Sequence, residues 1–178
     1  MKDVSVKKRI MFNKDDDHYF ITYNIIIFLN TIGCVNEKSR FVDYTKLSYL
    51  IPFVSNSKLI DILSIYSQLE RFPSKEEISL LQDTYIKGRV RIKLLTSILL
   101  SLESRNIIKI IKNERRKSFD IWLNKDNIPH SFLTLDLFKT EINNTLFLKK
   151  SLPRIKSLTN TTLLDNLFRN KGVRVWEI

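Results

Sequence analysis

A mainly α-helical protein carrying one small β-hairpin is what the sequence predicts, and three observations predict it. Apolar residues recur at helical spacing through most of the chain. One stretch, RNIIKIIKNERRKSFDIWL at 105–123, reads instead as two short apolar-rich runs about a polar turn. Only three Gly and four Pro occur in 178 residues, too few for a loop-dominated or disordered chain.

The elements follow in order. Residues 1–17 form a mixed-charge arm, and its acidic run at 15–17 suits the N-terminus of a helix better than a metal, because adjacent carboxylates cannot all face one ion. A first helix over 19–32 is apolar almost all round, with Gly33 as its stop. Asp43 or Thr45 can cap a short second helix carrying Leu47, Leu50 and Ile51, which Pro52 ends or kinks. A third helix over 57–68 places Leu59, Ile60, Leu63 and Tyr66 on one face. Ser74 and Glu77 have the spacing of a capping box and open a fourth helix running to about Tyr85. Gly88 separates it from a long amphipathic helix with Val90, Leu94, Leu95, Ile98, Leu99 and Leu102 as its apolar stripe. Strands at 107–112 and 118–124 make the hairpin. Further helices are expected over 135–150 and 161–169, with Leu137 on the apolar side of the first, Pro153 between them and a terminal strand, VRVWEI. The order of helices followed by a hairpin is the outline of a winged helix-turn-helix. The organisation expected is thus the arm, a winged-helix-like domain over 18–130 with its wing near 107–124, and a helical extension over 131–178 ending in a strand.

The net charge of +11 is unevenly placed. Residues 1–86 are neutral overall, whereas 87–118 carry a net +8 and 139–178 a net +5. One face turned to an anionic partner is implied. In a winged helix the start of the long helix and the wing tip lie near the duplex. The candidate phosphate contacts are therefore Lys87, Arg89, Arg91 and Lys93 on the helix, and Arg115, Arg116 and Lys117 at the turn. Such contacts give affinity without reading sequence. An acidic protein surface, or simple solvation of the turn and helix face, would use the same residues.

Catalysis leaves no trace. His18 and His130 stand apart from any nucleophile or orienting acid, and the three Gly are too scattered for a phosphate-cradling loop. Cys34 is the single cysteine and reads as a packed residue, so neither a disulfide nor a zinc site is expected, and no cofactor. The longest apolar run, IIIFL at 25–29, is far short of a membrane span, and no secretory leader is evident, so a cytoplasmic protein is expected. Trp122 and Trp176 read as core. Tyr23, Phe28, Tyr44, Tyr49 and Phe53 make the neutral half aromatic. Core is the commoner reading of such residues, and those left outside would mark a protein interface.

The pieces NIIIFL, YTKLSYLIPFVSN, RFPS, RIKLLTSILLSLESRNIIKII, LFLKKSLPRI, NTTLLDNLF and GVRVW, in this order and spacing, resemble the small middle component of bacterial three-component ABC-ATPase systems. That class includes Lamassu-type anti-phage and anti-plasmid defence. The departure is at Ser55 and Asn56, where a His-centred pair would be expected. The resemblance implies a non-catalytic accessory subunit that joins a long coiled-coil ATPase of the SMC and Rad50 kind to an effector, often a nuclease. It would bridge or cap the ATPase heads and contribute to sensing double-stranded DNA through the complex. A stand-alone winged-helix transcription or replication regulator is the alternative.

Overall fold

A computed structural model describes residues 17–68, 73–133 and 136–176. They are mainly helical with one two-stranded antiparallel hairpin, as the sequence predicts. The first helix, α1 (His18–Ile32), starts where the Asp17 carboxylate accepts the backbone N–H groups of Tyr19 and Phe20 at 2.8 and 3.3 Å. It ends at Gly33, whose φ of 80° lets its own N–H return to Asn30 and that of Cys34 to Leu29. Ile21, Ile25, Phe28, Leu29 and Ile32 are buried, so α1 runs through the centre of the core.

Helix α2 (Leu47–Ser55) contains Pro52 and continues three residues beyond it. Proline has no N–H to give the carbonyl of Ser48, four residues back. That carbonyl lies against Gly88, where an added Cβ would stand only 3.2 Å away. Helix α3 (Ser57–Gln68) follows, then α4 (Lys75–Ser104). The capping box at its start is present: Glu77 N–H donates to Ser74 Oγ at 3.2 Å, and Ser74 N–H to Glu77 Oε2 at 2.7 Å.

Two expected helices are thus one, and Gly88 is not a break. Its role is steric. A Cβ there would come within 2.7 Å of Tyr49 Cδ1, so the missing side chain lets the Tyr49 ring pack on the α4 backbone. Tyr49 then stacks on Tyr85, ring centres 5.9 Å apart, and meets Phe168 edge-on. Val90, assigned by periodicity to the apolar stripe, is 76% exposed, because the buried stripe of α4 passes through Gly88, Arg91 and Leu95 instead.

After the hairpin come α5 (His130–Leu133), α6 (Lys139–Ser151) and α7 (Asn160–Leu167). Helix α6 begins later than expected, after a 3-10 turn at Asp136–Phe138, and Leu137 in that turn is 77% exposed. Residue 135 lies outside the described residues, as do residues 1–16 of the expected arm. The expected terminal strand is absent over 173–176, which pair with no strand. A different anchor holds this segment. The Tyr85 hydroxyl donates to the Trp176 carbonyl and accepts the Trp176 N–H, both at 3.0 Å. The Trp176 indole leans on the Tyr85 ring yet stays half exposed, and Trp122 is half-buried rather than core.

The residues expected as a C-terminal extension share the main core. Leu148, Leu152, Leu163, Leu167 and Phe168 are buried in the same cluster as α1 and α2, and α6 packs directly on both. Among the described residues, no helix is long and apolar enough to cross a membrane.

Candidate nucleic-acid interface

The hairpin pairs β1 (Ile108–Asn113) with β2 (Ser118–Leu123), from Ile108 opposite Leu123 to Asn113 opposite Ser118, about a turn at 114–117. Its base is held by the end of α4, where Ile107 N–H bonds the Leu102 carbonyl at 2.9 Å. Its outer edge gains a third rung from Phe41. Phe41 and Ile121 exchange both backbone hydrogen bonds, at 2.8 and 3.0 Å.

Beneath the turn lies a buried polar network. Asp120 is buried and accepts from Arg40 Nε at 2.9 Å, from Asp43 N–H at 3.0 Å, and from Asn113 Nδ2 at 3.0 and 3.1 Å. Asp43 Oδ1 accepts from Ser118 Oγ and Thr45 Oγ1, both at 2.7 Å. These bonds hold Asp43 at a φ of 67°, a left-handed backbone that Asp tolerates better than most residues. A buried carboxylate with this many donors is the stable way to keep a charge inside.

Lys46 is the largest surprise of the network. It is wholly buried, and its ammonium donates to the carbonyls of Ile155, Lys156 and Leu158 at 3.2, 3.1 and 3.1 Å. Three donors meet three acceptors. The ammonium also lies 4.3 Å from the centre of the Phe41 ring. Burial pushes its pKa down to about 7, the Arg116 guanidinium adds to that, and Asp43 and Asp120 pull the other way. Sequence reading missed Lys46. The available signal was its register: it lies three, four and seven residues before Tyr49, Leu50 and Phe53, on the apolar side of the helix.

The candidate cations separate into two groups. Lys87, Lys93, Arg115 and Lys117 are exposed, and Arg89 is half-buried. Arg91 is not available to a partner: it is 7% exposed, because its position on α4 faces the core. Arg116 is also committed. Its Nη1 donates to the Leu158 carbonyl and its Nη2 to that of Ser157, both at 3.0 Å. The fork of the guanidinium fits two successive carbonyls of the 154–158 turn, so the middle cation of the hairpin tip is a fastener. Leu158 O thus receives both Lys46 and Arg116.

The aromatic set is corrected more heavily. Phe28, Tyr44, Tyr49 and Phe53 are buried core residues and are not available to a partner. Only Tyr23 of the five is exposed, at 40%, and its ring rests on Phe132 and Phe138. Cys34 is buried as expected, and burial drives its thiol up to about 12. Among the described residues, no group of three or more His, Cys, Asp or Glu side chains could hold a metal ion. No family model, curated protein or solved structure matches the chain.

Proposed function

We propose that this protein is a non-catalytic, cytoplasmic subunit with a winged-helix core that meets the phosphate backbone of double-stranded DNA through its hairpin tip. The order helix, single rung, helix pair, long helix and hairpin, with Phe41 on the outer side of β2, is the order a winged helix uses and supports this reading. The observation that carries it is the tip itself. Arg115 and Lys117 are exposed on a turn fixed from below by Arg116 and the Asp120 network. Lys87 and Lys93 flank the exposed Val90 on α4 and are exposed on that helix. Contacts of this kind position a protein on a duplex and specify no sequence.

The resemblance in motif order supports a role for such a subunit in an anti-phage defence complex of the Lamassu type, joined to an SMC- or Rad50-like ATPase and an effector. Co-expression with an SMC- or Rad50-like ATPase, sought among the neighbouring genes, tests the assembly: the two chains are expected to co-purify, and a chain that stays alone and binds one particular duplex as a dimer is instead a regulator. For the hairpin, binding to a duplex of about 20 base pairs is measured against salt. The Arg115→Glu, Lys117→Glu variant is expected to bind more weakly, with a salt slope smaller by about two, since each phosphate contact contributes about 0.9. Unchanged affinity and slope in a folded variant would overturn the phosphate reading.

A further inference from the structure

We infer that the hairpin tip and the 154–158 turn form one duplex-binding surface, and that Arg154 is a phosphate contact on it. The inference rests on the phosphate reading of the hairpin and extends it to a segment 37 residues further along the chain than Lys117. Three observations carry it.

The first is adjacency. Arg116 bonds the carbonyls of Ser157 and Leu158, and the Arg154 carbonyl accepts the N–H groups of both those residues, at 2.8 and 3.0 Å. A turn closed in this way keeps Arg154 within about 7 Å of Ser157, Cα to Cα. Arg116 is therefore the positioning residue that brings the two turns together.

The second is backbone conformation. Among the described residues, four non-glycine residues have positive φ: Asp43, Asn106, Lys117 and Arg154. Asp and Asn are the side chains that tolerate this region. Lys117 and Arg154 do not, and they stand at φ of 49° and 59°, one in each turn, both exposed. Backbone outliers of this kind cluster at functional sites, and here one exposed cation in each of the two turns that Arg116 ties together is such an outlier.

The third is what the surface lacks. None of the exposed large hydrophobic side chains lies in the turns at 114–117 or 153–158 themselves, and those on the adjoining strands, Ile111 and Phe119, are only 38% and 39% exposed. A protein partner of useful affinity needs an apolar centre to its interface, whereas a phosphate backbone needs cations. The one acid of the hairpin turn, Glu114, is paired with Lys112 at 2.7 Å. Duplex DNA is the partner this favours over an acidic protein.

The test uses the full chain, a duplex of about 20 base pairs and fluorescence anisotropy over a range of salt. Arg154→Gly suits the left-handed backbone, so thermal unfolding should hold or rise while the salt slope falls by about one. Lys117→Ala should lower the slope similarly. Lys75→Ala is the control. Lys75 opens α4, a helix of 30 residues, about 45 Å long, whose other end leads into the hairpin. Its slope should equal that of the wild type. If Lys117→Ala lowers the slope and Arg154→Gly does not, the two-turn surface is wrong and the hairpin reading stands. An equal drop for Lys75→Ala shows binding by diffuse charge and also overturns it. A wild type that binds no duplex but captures an acidic protein removes both readings.

Discussion

Replacing Gly88 by Ala tests the packing at the centre of α4. In an exposed helix this change stabilises by about 1 kcal/mol, since glycine is the poorest non-proline helix former. Here the new methyl would sit 2.7 and 3.0 Å from Tyr49 Cδ1 and Cε1, and 3.2 Å from the Ser48 carbonyl oxygen. The ring is fully buried and held between Tyr85 and Phe168, so it has nowhere to swing, and the carbonyl is backbone. Overpacking of a core costs about 1–3 kcal/mol, and contact with two fixed groups puts this case near the upper end. Subtracting the helix gain leaves a destabilisation of about 2 kcal/mol, or a fall in Tm of about 4–8 °C for a chain of this size. Thermal unfolding followed by circular dichroism reads it directly. Adding Tyr49→Leu should reverse the sign, so that Gly88→Ala becomes neutral or stabilising in that background. A Gly88→Ala protein that melts at or above the wild type would refute the steric account of this glycine.

Three other outcomes follow from buried groups. Lys46 has its pKa lowered from 10.5 to about 7, so above pH 7 the unfolded chain holds a proton the folded chain has lost. Stability should therefore rise from about pH 7 towards 9, where the raised pKa of Cys34 begins to act in the opposite sense; Lys46→Met should flatten the rise in urea titrations, and an identical slope in the variant contradicts the assignment. The Cys34 thiol, buried and pushed up to about 12, should resist a disulfide reagent at pH 8 until the protein unfolds; stoichiometric labelling of the native chain contradicts this. Tyr85→Phe removes both bonds to Trp176 and should cost about 1–2 kcal/mol, with faster hydrogen exchange confined to residues 173–176; uniform exchange across α4 as well would show a wider role.

What could be read in advance was local. Asp17, Gly33 and the Ser74–Glu77 pair act within one helical turn of themselves, and each does in the fold what its spacing announces. The hairpin was legible because its alternation and turn are contained in 19 residues. Gly88 was misread because its reason lies in Tyr49, 39 residues away. Val90 was misread because the buried side of α4 runs at regular spacing through Gly88 and Arg91, residue types that do not read as an apolar stripe. The candidate surface divided along the same line. Arg115 and Lys117 needed only an exposed turn, whereas the fates of Arg91 and Arg116 depended on distant packing. Arg154 lies in the 139–178 segment, whose net +5 the charge count recorded, yet no single cation there stood out, because its position beside the hairpin comes from distant packing.

The basic composition itself has a double origin. Lys156 Nζ donates to the Gly33 carbonyl at the end of α1, and Lys171 Nζ to the Asn166 carbonyl at the end of α7. Lys46 and Arg116 between them take four carbonyls of the segment that follows α6. A helix end or an irregular turn exposes acceptors that must be satisfied when buried, and the partial negative charge there favours a cation. This chain meets that need with long cationic side chains in places where a protein richer in glycine could close the turn on its own backbone. Part of the formal +11 is thus spent on the fold. The same carbonyls that absorb Lys46 and Arg116 hold the hairpin against the 154–158 turn, so the cations lost to a partner are the ones that join the two turns carrying Arg115, Lys117 and Arg154.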